Sequence, residues 1–171
     1  MKEAKADLFD MILDEDTDAI CITTNGQYNR FGHAIMGGGC AKVAADRYPE
    51  LPKALGKCLK VFGSNIPYII GAVDEEAKYL TPTYEMIKDK KFKCLIFSFP
   101  TINKLADGGN LQLVKQSSVI MKDHADHYKL KKIVLPRPAV GLAGLKWEDV
   151  KKEIEDILDD RFLIVSFAHE E

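Results

Sequence analysis

The sequence predicts a layered α/β domain with a largely parallel sheet. Short apolar runs of strand length alternate with amphipathic helical patterns along the chain, and this order is typical of layered α/β domains. A length of 171 residues suits one domain with its own core. There is no repeat, low-complexity tract or linker, so we expect residues 1–171 to form a single domain.

The first predicted elements are a buried strand and two helices. Asp18–Thr24 is an apolar run of strand length that ends at Asn25. Ala34–Tyr48 has a helical pattern, which Pro49 should stop because proline cannot continue a helix. Leu51–Phe62 follows as a second helix.

The middle of the chain contains two predicted strands and a long helix. Tyr68–Val73 and Lys93–Ser98 are apolar runs of strand length, and Phe99-Pro100-Thr101 ends the second of them. Leu111–His127 has apolar residues at helical spacing, which indicates an amphipathic helix.

The last predicted elements are a short strand, a helix and a final strand. Ile133–Leu135 is the short strand, and Trp147–Leu158 has one clear apolar face of a helix. Phe162–Phe167 is an apolar run that completes the predicted sheet.

Two glycine-bearing segments follow predicted strands. Thr24-Asn25-Gly26 leads into Gly37-Gly38-Gly39-Cys40, and Pro136-Arg137-Pro138 leads into Gly141-Leu142-Ala143-Gly144. Such loops let backbone N–H groups approach an anion that a helix N-terminus also attracts. Ligands of open α/β sheets bind at the carboxyl ends of the strands. The sequence therefore predicts a phosphorylated ligand, with a diphosphate held between the two loops.

Composition and charge argue against several other classes of protein. The net charge of −2 provides no overall basic field for nucleic acid. The cysteines Cys21, Cys40, Cys58 and Cys94 show no zinc-ligand spacing, and we expect no metal site and no cofactor. Met1–Lys5 has no signal-peptide core, and no apolar stretch reaches membrane-spanning length. We therefore expect a cytoplasmic protein that does not bind membranes.

The motifs, in their order along the chain, resemble those of the macrodomain family, whose members bind ADP-ribose and some of which hydrolyse its derivatives. The resemblance runs from about Asp10 to the C-terminus and is closest to the branch of phage, bacterial and some eukaryotic ADP-ribose hydrolases. It implies a three-layer α/β/α sandwich on a mixed, largely parallel sheet. The motifs that carry it are Asp18-Ala19-Ile20, Thr24-Asn25-Gly26, Gly37-Gly38-Gly39-Cys40-Ala41, Pro136-Arg137-Pro138 and residues 141–150.

The resemblance also implies roles for individual residues. Asp10, followed by Met11, would accept a hydrogen bond from the adenine amino group, because a carboxylate is an acceptor only. Phe167 would stack on adenine, and Asn25 would bind the distal ribose. The remaining binding residues, all from the glycine loops, are Gly37, Gly38, Gly39, Pro138, Gly141, Leu142, Ala143 and Gly144.

Residues that could support catalysis are fewer. His33 lies within the first loop and could act as a general base or acid, with Asn25 fixing the substrate. Ala143 stands where some family members have a catalytic aspartate, and Ile102 where others have a lysine after Phe-Pro-Thr. Lys104, two positions farther on, is a further candidate.

Three functions remain open at this stage. In the leading one, a monomeric protein binds ADP-ribose or a derivative and hydrolyses ADP-ribose 1″-phosphate or an ADP-ribosyl ester. Nucleic acid would be a partner only as an ADP-ribosylated substrate. The second is a binding module that reads the same ligand without turnover. The third, a different dinucleotide-binding protein, is disfavoured because the first loop lacks GxGxxG.

Overall fold

The computed structural model describes residues 1–167. Within this range the strands form one sheet. They are Lys2–Lys5 (β1), Ala19–Asn25 (β2), Ile69–Val73 (β3), Tyr79–Leu80 (β4), Cys94–Ile102 (β5), Ile133–Pro136 (β6) and Phe162–Ser166 (β7). The strand order is β1-β7-β6-β2-β5-β3-β4. Neighbours from β1 to β5 are parallel, whereas β3 is antiparallel to both β5 and β4. The sheet is therefore mixed and largely parallel, as expected.

Helices cover both faces of the sheet. They are Gly39–Arg47 (α1), Leu51–Phe62 (α2), Tyr84–Lys88 (α3), Leu111–His127 (α4) and Trp147–Ile154 (α5). On one face, α1 and α2 bury apolar side chains such as Leu51 and Leu55 against the sheet. On the other face, α4 and α5 do the same with residues such as Met121 and Ile154. Burial of these two apolar layers accounts for the three-layer α/β/α sandwich.

The predicted helices differ in how well their bounds agree with the structure. Leu51–Phe62 and Leu111–His127 are confirmed at both ends. The helix predicted over Ala34–Tyr48 is wrong in its first turn, since α1 begins at Gly39. The preceding residues form a hairpin instead, which we call the first-loop hairpin (residues 27–35); in it Ile35 N–H donates to Gln27 O at 3.0 Å.

The carboxyl ends of the parallel strands gather at one edge of the sheet. Along β1 and β7, Lys5 pairs with Ser166, and along β6 and β7, Pro136 pairs with Val165. The register of β2 against β5 shifts after Thr24, so that Asn25 pairs with Ile102. Both glycine-bearing loops thus leave the sheet at the same edge.

One lysine ties the segment before β2 to the start of β5. Lys93 Nζ donates to the carbonyl oxygens of Ile12, Asp14 and Thr17 at 3.2, 2.8 and 3.3 Å. Substituting Lys93→Met should lower the free energy of unfolding by about 2 kcal/mol, because partly buried carbonyls lose a charged donor. Urea denaturation would measure this, with exposed Lys91→Met as the matched control. Equal stabilities of the two variants would contradict the expected effect.

Candidate functional site

A cavity of about 980 Å³ lies at the carboxyl-end edge of the sheet. Its walls come from the segment after β1, the end of β2 with the first glycine loop, the end of β5, and the second glycine loop with the end of β7. The lining residues are 6–9, 23–25, 35, 37–41, 43, 101, 102, 105, 136, 137, 139–143, 165 and 167. The two glycine-bearing loops and the end of β5 thus line one cavity.

Asn25 is held by two hydrogen bonds at the start of the first loop. Asn25 is buried, with 8% of its surface exposed. Nδ2 donates to Ile35 O at 2.8 Å, and Oδ1 accepts from Gln27 N–H at 2.9 Å. An amide has two N–H bonds and two carbonyl lone pairs, so each end keeps capacity for a second partner. The first-loop hairpin thereby presents an oriented amide to the cavity.

The triple glycine forms the N-terminus of α1 at the cavity wall. Gly38 is the N-cap residue and has no side-chain cap, and the first N–H groups of any helix lack intrahelical partners. A methyl group built on Gly37 would meet nothing within 4 Å, so the backbone at this point is open to a ligand. Gly39 has φ 59°, in the left-handed region that favours glycine. The arrangement suits an anion.

The second glycine loop lies opposite the first. Gly141–Ala143 forms a short 3-10 helix, and Leu142 Cδ1 would be 2.6 Å from a methyl group built on Gly38. The two loops therefore touch above the cavity. Gly109 N–H donates to Ala143 O at 2.9 Å and connects the second loop to the loop after β5. Of the predicted residues in this region, Pro138 and Gly144 are not among those that line the cavity.

On the side of the cavity formed by the ends of β1 and β7, Asp7 and Phe167 line the wall, whereas Asp10 does not. Parallel pairing continues beyond the strands, since Ala6 N–H donates to Ser166 O at 2.9 Å. Asp7 Oδ1 accepts from Phe9 N–H at 2.8 Å. Asp10, by contrast, is exposed on the 3-10 helix Asp10–Leu13. Neither it nor Met11 lines the cavity.

Sequence reasoning missed Asp7 because β1 carries no apolar signal. All its residues are exposed, so no alternating or continuous apolar pattern marks a strand. The acid at the end of β1 could have been found only from Leu8 and Phe9, the buried pair that follows it.

The predicted catalytic side chains other than Asn25 do not line the cavity. His33 is exposed at the tip of the first-loop hairpin, where its backbone N–H donates to Asn29 Oδ1 at 3.1 Å. Lys104 is exposed on the loop after β5. The residues that line the cavity at the ends of β2 and β5 and on the second loop include Thr24, Thr101, Ile102, Leu105 and Ala143. Among residues 1–167, the titratable side chains that line the cavity are those of Asp7, Cys40 and Arg137.

The Cys40 thiol lines the cavity and is hydrogen-bonded to Thr23. Its Sγ lies 2.9 Å from Thr23 Oγ1 and accepts from Thr23 N–H at 3.4 Å. Burial raises the pKa of the Cys40 thiol, against the weaker effect of these hydrogen bonds. The thiol is therefore protonated at neutral pH, and the reactive thiolate is scarce.

The described part of the chain holds no cluster of three or more histidine, cysteine, aspartate or glutamate side chains placed to bind a metal ion. In residues 1–167 there is also no helix with the length and apolar character needed to cross a membrane.

Solved macrodomains resemble this structure over nearly the whole chain. The macrodomain of Mycobacterium tuberculosis DarG has a TM-score of 0.67 at 23% identity, over 96% of this chain and 95% of that one. The macrodomain of Thermus aquaticus DarG has a TM-score of 0.68 at 19% identity, over 97% and 96% of the two chains.

A third similar structure is Thermosipho africanus DarTG in complex with ADP-ribose. Its TM-score is 0.72 at 15% identity, over 99% of this chain and 42% of that one. No protein-family model and no curated protein sequence matches the chain. At these identities the likeness establishes the fold: this chain has the macrodomain fold, as the sequence motifs implied.

Proposed function

We propose that the protein binds the ADP-ribosyl group in the cavity at the carboxyl ends of its strands. The observation that carries the proposal is the pairing of two glycine-bearing loops, one of them the N-terminus of α1, across a single cavity. Backbone N–H groups at a helix N-terminus suit a diphosphate. The similar structure of Thermosipho africanus DarTG in complex with ADP-ribose supports the same ligand.

The two ends of the cavity suit the two ends of this ligand. Asp7 has one carboxylate oxygen that accepts from Phe9 N–H, and its other oxygen would accept from the adenine amino group. Phe167 offers an aromatic face at the same end. Asn25, at the opposite end, would hydrogen-bond the distal ribose.

We further propose that the protein binds this group without hydrolysing it by side-chain catalysis. General acid–base catalysis needs a titratable group within hydrogen-bond reach of the reacting atoms. In the described chain, the cavity wall includes Thr24, Thr101, Ile102, Leu105 and Ala143, none of which has a titratable side chain. His33 and Lys104 lie outside that wall. Attack by a water molecule that the substrate's own phosphate activates would not need a titratable side chain. The turnover assay tests this route.

Calorimetric titration is the direct test of binding. We expect ADP-ribose to bind with micromolar affinity and ADP or NAD at least about tenfold more weakly, because ADP lacks the distal ribose and NAD carries a bulky substituent on it. Absence of heat and of a thermal shift with ADP-ribose would overturn the assignment of the ligand.

Turnover is tested separately on the same protein. Phosphorus NMR after incubation with ADP-ribose 1″-phosphate should show no release of inorganic phosphate above the rate in buffer. Mass spectrometry after incubation with an ADP-ribosyl ester should likewise show no release of ADP-ribose above that rate. Hydrolysis that is lost in Asn25→Ala would instead establish an enzyme.

A further inference from the structure

Asn65 connects two loops at the Asn25 end of the cavity without lining it. It lies between α2 and β3, and its Nδ2 donates to Ile102 O at 3.1 Å and to Asn103 Oδ1 at 3.0 Å. The same amide packs against Gly26, where an added methyl group would lie 2.9 Å from Nδ2. One side chain therefore contacts both the start of the first loop and the loop after β5.

These two loops are also bonded to each other at the same place. Gly26 N–H donates to Asn103 O at 3.1 Å, and Leu105 N–H donates to Gln27 Oε1 at 2.7 Å. The register shift that pairs Asn25 with Ile102 comes immediately before Gly26 in one segment and before Asn103 in the other. The position of the Asn25 amide therefore depends on how the loop after β5 is held, and Asn65 holds that loop together with Gln27.

The orientation of the Asn65 amide is determined by its donors. Rotating the amide by half a turn would place Oδ1 against Ile102 O, with two acceptors facing each other. In the described structure Oδ1 is buried and has no hydrogen-bond partner. Burying an amide carbonyl without a hydrogen-bond partner costs free energy. The stabilising contribution of the Asn65 side chain therefore comes from the two hydrogen bonds that its N–H groups donate.

We propose that Asn65 is a positioning residue that sets the preference of the site for ADP-ribose over ADP. The inference rests on the proposed function. Asn65 acts through Gly26 and Asn103 on Asn25, which would contact the distal ribose that ADP lacks. The adenine and diphosphate regions would be formed by the segment after β1, by β7, by α1 and by the second glycine loop, and none of these includes the segment that carries Asn65.

The test compares two ligands on matched variants. Asn65→Asp keeps the shape of the side chain but removes both donors. It should weaken ADP-ribose binding at least about fivefold and leave ADP binding within about twofold, because two hydrogen bonds are lost and the new carboxylate faces the oxygens of Ile102 and Asn103. Ser64→Ala, an exposed neighbour on the same segment, should change neither affinity.

The outcomes separate this inference from the proposed function. If the wild-type protein does not bind ADP-ribose, the proposed function fails. If it does bind, and Asn65→Asp weakens ADP-ribose and ADP equally or changes neither, the role of Asn65 is overturned. If Asn65→Asp does not fold, the test uses Asn103→Ala, which removes one acceptor of Asn65 on an exposed residue. An unchanged ratio of the ADP-ribose and ADP affinities in this variant overturns the inference, and a reduced ratio supports it.

Discussion

Asp7→Asn should weaken ADP-ribose binding at least about tenfold, whereas Asp10→Asn should change it less than twofold. Asp7 Oδ1 accepts from Phe9 N–H, and an asparagine would keep this bond with its own oxygen. The amide nitrogen would then replace the second carboxylate oxygen and direct a donor at the adenine amino group. Loss of a hydrogen bond to a charged acceptor costs about 1.5–3 kcal/mol, which corresponds to tenfold or more in affinity.

The ligand can also be changed at the amino group that Asp7 would contact. Inosine diphosphate ribose carries a carbonyl oxygen where adenine has its amino group, so the Asp7 carboxylate should disfavour it and the asparagine should accept it. Calorimetry on both ligands should show the preference shrinking or reversing in Asp7→Asn. A variant of Asp10 that weakens binding while Asp7→Asn does not would instead return the adenine contact to Asp10.

The predicted acid, Asp10, lies three residues after Asp7, the acid that lines the cavity, and this difference has a physical origin. Strands β2 and β5 are buried and strongly apolar, so the sequence predicts them, and their ends locate Asn25 correctly. Strand β1 is an exposed edge strand of mostly charged residues, held by backbone hydrogen bonds to β7. Backbone pairing of that kind leaves no side-chain pattern, and the segment after β1 could not be placed from the sequence.

A similar limit applies to the first-loop hairpin. Its residues have a helical pattern from Ala34 onwards, yet Ala34 pairs with Tyr28 and donates its N–H to Pro52 O at 2.8 Å. Contacts with α2, distant in sequence, override the local helical preference. The same contacts carry His33 to the hairpin tip and away from the cavity, which the spacing along the chain alone does not reveal.

Gly56 on α2 leaves the space that the first-loop hairpin occupies. It is buried in the helix, and a methyl group built on it would overlap Gly32 O and lie 2.8 Å from Ala34 N. Both obstructing atoms belong to the backbone, so a rotamer change cannot relieve the overlap. Alanine at an unobstructed helix interior position would be more stable than glycine by about 1 kcal/mol. Here the hairpin must move instead.

We expect Gly56→Ala to lower the free energy of unfolding by about 2 kcal/mol, since overpacking typically costs 1–3 kcal/mol, and to abolish measurable ADP-ribose binding. Binding is lost because the displaced hairpin carries Ile35 O, the acceptor that orients the Asn25 amide. Thermal denaturation measures the loss of stability. Calorimetry at a temperature where the variant is folded measures the loss of binding. Hydrogen exchange at the Ala34 amide should become faster, while exposed Lys57→Ala on the same helix should leave all three measurements unchanged. A folded Gly56→Ala variant with normal affinity would show that the position of the hairpin does not control the site.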